Sequence, residues 1–423
     1  MDSVVDLFMI SAGDNLSLTI EKPVAGGRML ARLDGRIILV SGAIPGERVR
    51  ARVERVTKGV VYAAAAAIDE PSRDRRPAAG DPLCGGCLYA HVAYPRQLDL
   101  KARVVEDAFA RVGQLALPGP VQVVASPEQG YRMRARLHVR GSQIGFFREG
   151  THEICDVLQT GQLLPATCDA LDRLDVARRS LGLEAVREIE LAENLDASAR
   201  VVYLDGQGPI DARQLDLLGA TQGLTGVAAA DGVCGDAYLT DVLTVGNGPP
   251  VSIRRHVLAF FQGNRYLLEA LVAHVMGQLA PAERVVDLYA GVGVFSIAAA
   301  ACGARVTAVE GDTVAAADLR VNAAAVGDGV VAIHQPVEEF LRGASVGVHT
   351  IIVDPPRTGL SREALEGLAS LDARRIVYVS CDVATLARDT RRLVDGGYTL
   401  ARIDAFDLFP NTPHVETVAV FDR

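Results

Sequence analysis

No apolar run in this sequence is long enough to cross a bilayer, and the first residues lack the basic-then-apolar order of a secretory signal. The expectation is a cytoplasmic protein with no membrane partner. Tryptophan is absent, and the cysteines number 7. An odd count without a secretory signal argues for free thiols, a metal site or a catalytic role rather than a disulfide framework. A positive net charge is lacking too: 43 Lys and Arg against 52 Asp and Glu give −9. That total is awkward for a nucleic-acid partner, although binding depends on where the positive groups cluster. What is present is a 49% hydrophobic content over 423 residues, enough for two or three domains with separate cores.

Residues 13–70 read as a small all-β module. Leu16–Ile20 alternates, Gly26-Gly27 turns, Arg36–Val40 is a strand, and Ala43-Ile-Pro-Gly46 turns again before Glu47–Val56. In that last run Val49, Ala51 and Val53 alternate with Arg48, Arg50 and Arg52, so one face is buried and the other basic. Short strands punctuated by Gly and Pro suggest an OB-like barrel. Its basic face is either an RNA platform or an ordinary solvated surface.

Residues 71–83, rich in Pro and charge, read as a linker. Cys84-Gly-Gly-Cys87 then offers two thiols that cannot close a four-ligand metal site alone. Leu98, Ala102, Val105, Ala108, Phe109 and Val112 give a helix over 95–113, ended by Gly113 and expected to pack on the last domain. Residues 121–250 read as largely strand-like. Within them Arg132, Arg134, Arg136, His138 and Arg140 alternate with Met133, Ala135, Leu137 and Val139. Like charges in a row along one strand face are costly without a polyanion, which favours RNA contact over a merely solvated face.

From about residue 250 strands and helices alternate, as in a mostly parallel, doubly wound sheet. Helices are expected at 264–279, 294–302, 313–326, 361–370 and 383–395, and strands at 284–288, 305–309, 329–333, 349–353, 375–380, 398–407 and 415–421. Val285–Ile297 is strand, glycine turn and helix; Asp287 closes the strand, and Glu310 ends the next one about 20 residues on, where ribose hydroxyls would be bound. The third glycine of a dinucleotide fingerprint is missing, as is a phosphate-binding Lys-Ser/Thr. The pattern suits S-adenosylmethionine, which has a ribose and no phosphate. Asp354-Pro-Pro stops a third strand with an acid at its tip. Cys381 stands between strand 375–380 and a helix with Asp382 at its N-cap, where the helix dipole favours a thiolate. On this stretch alone an inert core cysteine is the favoured reading, since cysteine is among the most buried residue types.

Taken in order, Phe260-Phe-Gln-Gly-Asn264, Asp287-Leu-Tyr-Ala-Gly291, Val353-Asp-Pro-Pro-Arg357, Val379-Ser-Cys-Asp382 and Phe409-Pro-Asn-Thr-Pro-His-Val-Glu416 resemble the motifs of the uracil-C5 RNA methyltransferases. The first module resembles a TRAM domain through Gly26-Gly27, Gly35, Val40, Pro45-Gly46-Glu47 and Val49. The resemblance covers essentially the whole chain. It implies a TRAM barrel at 1–70, a central β-rich RNA-binding domain at 71–250 and a Rossmann-like methyltransferase domain at 251–423. It further implies Cys381 as nucleophile, Glu416 as general base, and Gln262, Tyr289, Glu310 and Asp354 as S-adenosylmethionine contacts. The substrate implied is a uridine of 23S ribosomal RNA, with the tRNA T-loop as alternative, bound in part by Arg132, Arg134 and Arg136. A non-catalytic RNA-binding protein on the same scaffold is the competing class, and a monomer is expected.

Relatives often hold a four-iron cluster on four cysteines. Cys84 and Cys87 match the middle pair, but the outer positions fall on or near Ala78 and on Thr160, with Cys155 close by. The pair reads as the remnant of an iron–sulfur site, and no stable cluster or other metal is expected. Val294 replaces an Asn common in relatives, and the acid expected near Pro336-Val337 is not evident.

Overall fold

The computed structural model describes residues 10–78, 80–246, 248–280, 282–343 and 347–423. The first unit is a curled sheet in which Asn15–Thr19, Arg48–Thr57, Val60–Glu70, Arg36–Ser41, Met29–Leu33 and Lys22–Pro23 lie side by side. Alternation sends Leu18, Ile38, Val40, Val49, Ala51 and Val53 into its core. Arg48 and Arg50 stay outside, each beside an acid of the neighbouring strand, Glu70 and Asp69. The segment read as a linker is fastened down. Arg75 donates from Nε and Nη2 to the two oxygens of buried Glu47, both at 2.6 Å.

The middle unit orders its strands Ile154–Asp156, Gln143–Phe147, Arg134–Arg140, Val186–Glu193, Arg200–Gly206, Gly226–Ala229 and Gly232–Gly235. Two helices, Pro165–Ser180 and Ala212–Gly219, interrupt what reads as strand. In the first, Thr167, Ala170, Leu171, Leu174 and Arg178 form one buried face at helical spacing, and Pro165 is tolerated in the opening turn. The second starts from an Asp211–Gln214 capping box. The arginine strand is paired with acids rather than left for a polyanion: Arg136 binds Glu190, and His138 Nδ1 lies 3.2 Å from Glu188. Both acids come from the adjacent strand, opposite Arg136 and His138 in register.

In the last unit the strands run Val330–His334, Arg305–Glu310, Arg284–Leu288, Thr350–Val353, Arg375–Ser380, Glu416–Asp422 and Thr399–Phe406. Counted along the chain from Arg284, that is third, second, first, fourth, fifth, seventh, sixth, with the seventh antiparallel to the fifth. Val123–Val124 adds an edge strand from far upstream. Apolar residues cover both faces of this sheet, Ile297, Leu319 and Leu271 on one, Leu365, Leu386 and Phe109 on the other. Phe109 belongs to the segment after helix Tyr94–Ala108, which thus packs against this sheet's own helix Val383–Asp395. The hairpin Tyr238–Leu243/Val251–His256 straddles residue 250, and its Leu243 and Ile253 share the core of the last unit.

Most elements here fall within a residue or so of expectation. Helix 264–279 shortens to Leu268–Met276 because the Asn264 side chain accepts the amides of Tyr266 and Leu267 and so holds a turn before it. Helix Val337–Gly343 is additional. Among the described residues no helix is long and apolar enough to cross a membrane.

Candidate active site

Ligands of open parallel sheets sit beyond the carboxyl ends of the strands, where the strand order reverses. Here the reversal lies between Arg284–Leu288 and Thr350–Val353. Asp287, Glu310 and Asp354 all come from strand ends on this edge. The glycine turn carries Gly291 and Gly293 at φ 56° and 95°, left-handed values that suit glycine, and Tyr289 shares that region at 59°. Among the described residues no atom would lie within 4 Å of a Cβ on Gly291, so the turn faces open space there.

Glu310 organises the turn: Oε2 accepts the Gly291 amide at 2.7 Å and Oε1 the Asp312 amide at 2.6 Å. Asp287 is fully buried and accepts from Ser296, and among the described residues its Oδ1 has no partner. Burial, with Glu310 adding to it, lifts its carboxyl to about 7. Asp354 is likewise lifted to about 7 by burial and by Asp287, while the Gln262 amide, donating at 3.0 Å, opposes the rise. The Tyr289 hydroxyl reaches Glu338 at 3.5 Å, and Glu338 also accepts from Ser361. Glu338 is therefore an acid one position beyond the Pro336-Val337 pair. S-adenosylmethionine presents an ammonium, a ribose diol and a sulfonium. A cleft of acids with an orphaned carboxylate oxygen fits such a group. Val294 is buried on the helix behind the turn and offers no polar contact.

Cys381 follows the fifth strand. The Asp382 side chain caps the next helix by accepting from the Thr385 amide at 2.8 Å. Ser380 pairs with Thr417 across the antiparallel ladder, so one step further sets Cys381 opposite Glu416. The expectation that the helix start depresses the thiol's pKa is corrected. Burial, then the nearby Glu416 carboxylate and more weakly Asp354, push it up to about 11, and Arg357 opposes by charge and by a hydrogen bond. Glu416 is 3% exposed, and burial, then Asp354, raise its pKa well above the carboxylate range, again against Arg357.

Arg357, the last residue of the Val353–Arg357 motif, is a site residue that the sequence pattern alone does not assign. Its place depends on helix Val383–Asp395: Thr385 Oγ1 donates to the Arg357 carbonyl, Arg388 to the Thr358 carbonyl, and Asp389 accepts the Leu360 amide. Gly359, at φ 74°, lies so close to that helix that a Cβ would stand 2.1 Å from Thr385 Cγ2. The signal available in the sequence was a cation following an acid at a strand tip.

A pH dependence follows. In the roles of nucleophile and base that the resemblance implies, each group would have to lose a proton, and both hold it more firmly than usual. Below the thiol's pKa the reactive fraction grows about tenfold per pH unit, so kcat/KM should climb from pH 7 to pH 9. Arg357→Met should move that rising limb to higher pH and lower the rate at pH 7.5 by about tenfold or more, one pKa unit being a factor of ten. An unmoved limb would deny Arg357 this role.

Of the arginines, Arg132 lies ahead of the strand rather than on it, donating to Gln162 at 2.8 Å with its guanidinium over Phe146 and Phe409. Arg134 lies over exposed Phe260 and 3.5 Å from Glu190. Arg132 lies beside the loop that carries His414, whereas Arg136 turns to Glu190.

The cysteines do not fit an iron–sulfur cluster. Cys84 is disulfide-bonded to Cys155, Cys87 is a free buried thiol raised to about 11 by burial and Asp81, and Ala78 and Thr160 offer no sulfur. The disulfide also corrects the expectation of free thiols, a metal site or a catalytic role in place of disulfide bonding. It closes a loop across a separation of 71 residues, for which loop entropy predicts about 4 kcal/mol of stabilisation. Dithiothreitol should lower the urea midpoint accordingly, and Cys155→Ser should remove the response. A midpoint indifferent to reductant would contradict it.

The strand order and the acid-tipped edge define a class I S-adenosylmethionine-dependent methyltransferase. Comparison with known proteins narrows this. The tRNA (Uracil-5-)-methyltransferase family model matches residues 226–423, and the TRAM domain model residues 12–66. A Pseudomonas fluorescens protein named 23S rRNA (uracil(1939)-C(5))-methyltransferase RlmD is 33% identical over 98% of this chain and 95% of its own. A Methylococcus capsulatus protein of the same name is 33% identical over 96% of each chain. The crystal structure of Pyrococcus abyssi tRNA (uracil-54, C5)-methyltransferase with S-adenosyl-L-homocysteine superposes with a TM-score of 0.77 at 25% identity, covering 96% of this chain and 99% of that one. The chain belongs to the uracil-C5 RNA methyltransferase family. It is an S-adenosylmethionine-dependent enzyme acting on RNA.

Proposed function

We propose that this enzyme methylates carbon 5 of a uridine in 23S ribosomal RNA, with Cys381 as nucleophile and Glu416 as general base. The observation that carries the mechanism is the meeting of the Cys381 thiol, the Glu416 carboxylate and the Arg357 guanidinium beside the acid-lined cleft. Gln262, Tyr289, Glu310 and Asp354 would hold S-adenosylmethionine, which supplies an electrophilic methyl group. Carbon 5 of uracil is a weak nucleophile. The Cys381 sulfur adds to carbon 6, and the electron pair displaced from the double bond enriches carbon 5. After methylation carbon 5 carries both a methyl group and a proton. Glu416 takes that proton, the pair left behind re-forms the double bond, and the bond from carbon 6 to sulfur breaks to return a thiolate. The uridine must leave its stack to reach a thiol this deep.

Arg132 and Arg134 act as RNA contacts near the mouth, while Arg136, paired with Glu190, is left a lesser part than the sequence suggested. The TRAM barrel, the central sheet and the catalytic sheet serve as separate units, in a monomer working in the cytoplasm. Ribosomal RNA is favoured because the relatives named for it reach 33% identity over nearly both whole chains, against 25% for the tRNA enzyme. The test offers 23S rRNA and tRNA transcripts with labelled S-adenosylmethionine and maps the product by nuclease digestion. Label in 5-methyluridine of rRNA alone is expected; label only in tRNA would move the target, and binding without label would leave a non-catalytic protein.

A further inference from the structure

The general base is delivered by a loop, residues 407–415, that leaves strand Thr399–Phe406 and returns as the strand starting at Glu416. From the catalytic domain, Leu408 and Val415 pack into the cores on the two faces of the sheet, and Asn264 donates to the Leu408 carbonyl at 3.0 Å. Between those anchors, the polar grip on Asp407, Phe409 and Asn411 comes mainly from the segment between the barrel and the central domain. Lys101, 1% exposed, forms a fully buried ion pair with Asp407 and also donates to the Phe409 carbonyl at 3.1 Å. Gln97, fully buried on the same helix face one turn earlier, grips Asn411 from both sides. Its Oε1 accepts the Asn411 amide and its Nε2 donates to Asn411 Oδ1, each at 2.9 Å. Arg76 donates to that same Oδ1 at 2.8 Å, and the Tyr89 amide to the Asn411 carbonyl at 2.8 Å. Asn411 itself is held at φ 64°.

A buried lysine paired with a buried aspartate is expensive to desolvate, and an apolar pair would serve packing as well or better. What the polar network adds is direction, since hydrogen bonds to Phe409 and Asn411 fix the path of the backbone. Five residues after Asn411 that path ends at Glu416, and Lys101 is also close enough to His414 to help keep it neutral.

We propose that Lys101 and Gln97, on a helix outside the methyltransferase domain, are positioning residues for the general base. They set where the Glu416 carboxylate stands relative to carbon 5, and so govern proton removal and thiol release rather than the addition of Cys381. The inference rests on the roles given to Cys381 and Glu416 above.

The test uses full-length Lys101→Met and Gln97→Leu, with the wild type as control, on ordinary uridine RNA and on 5-fluorouridine RNA. A misplacement of about 1 Å costs on the order of a hundredfold in rate. We expect Lys101→Met to lose about that much kcat and Gln97→Leu about tenfold, with KM for RNA within about twofold. On ordinary RNA both variants should accumulate a denaturant-resistant, methylated protein–RNA adduct that the wild type turns over, because addition proceeds while elimination stalls. Should Lys101→Met not fold, Gln97→Leu carries the same adduct test. A slowed folded variant with no such adduct, or one that turns over normally, overturns the proposal. A wild type that forms no adduct with 5-fluorouridine RNA instead overturns the underlying mechanism, which keeps the two failures apart.

Discussion

Cys381→Ala should abolish methylation while S-adenosylmethionine and RNA still bind. The loss expected is on the order of 10⁴-fold or more, the scale seen when a covalent nucleophile is removed. The thiol is not part of the fold's support: Cys381 is half-buried, and the elements beside it are held by Ser380, Asp382 and Thr417. Alanine removes one sulfur and leaves the strand-to-helix turn, its Asp382 cap and the cofactor acids in place. Stability should change little, and calorimetric titration with S-adenosylmethionine should give a Kd within about twofold of wild type, as expected for a site that does not touch the ligand's binding groups. A variant that still methylates at a tenth of the normal rate would mean that carbon 5 is activated by some other group.

Glu416→Gln should do something different in kind. The substitution keeps the shape of a buried side chain and removes its ability to take a proton. Addition of Cys381 and arrival of the methyl group need no base at carbon 5, so one turnover proceeds as far as the methylated adduct. Turnover should fall by about 10²–10⁴-fold, the usual contribution of a general base. The adduct should persist on ordinary RNA and migrate with the protein through denaturing electrophoresis. Loss of activity without adduct would place Glu416 earlier in the reaction, for instance as the acceptor of the thiol proton. Glutamine cannot be repelled by Asp354, so the folded state should be at least as stable as the wild type at pH 8. There the raised pKa of Glu416 means that its ionisation works against folding.

What was readable in the sequence was mostly what neighbours in sequence decide. Asp287, the turn at Gly291 and the helix behind it form one local unit, and so do Ser380, Cys381 and capping Asp382. Their chemistry follows from strand ends and helix starts. What escaped depends on partners far apart in the chain. Glu188 and Glu190 neutralise Arg136 and His138 only because the register of two strands about 50 residues apart puts them opposite. Cys155 meets Cys84 across a separation of 71 residues, and Lys101 meets Asp407 across 306. The thiol's pKa was misjudged for the same reason. The helix start is local, but the burial and the Glu416 charge that outweigh it come from the fold. Helix Pro165–Ser180 was legible in principle, its buried positions recurring every three or four residues, but mixed Asp and Arg on the other face obscured the period.

The most direct measurement is intact mass of the wild-type protein after incubation with S-adenosylmethionine and RNA carrying 5-fluorouridine at the target. Fluorine cannot be removed as a proton, so the account predicts a stable covalent species of one chain, one RNA and one methyl group, joined at the peptide containing Cys381. Efficient methylation of ordinary RNA with no adduct on the fluorinated one, or an adduct at another residue, would contradict it.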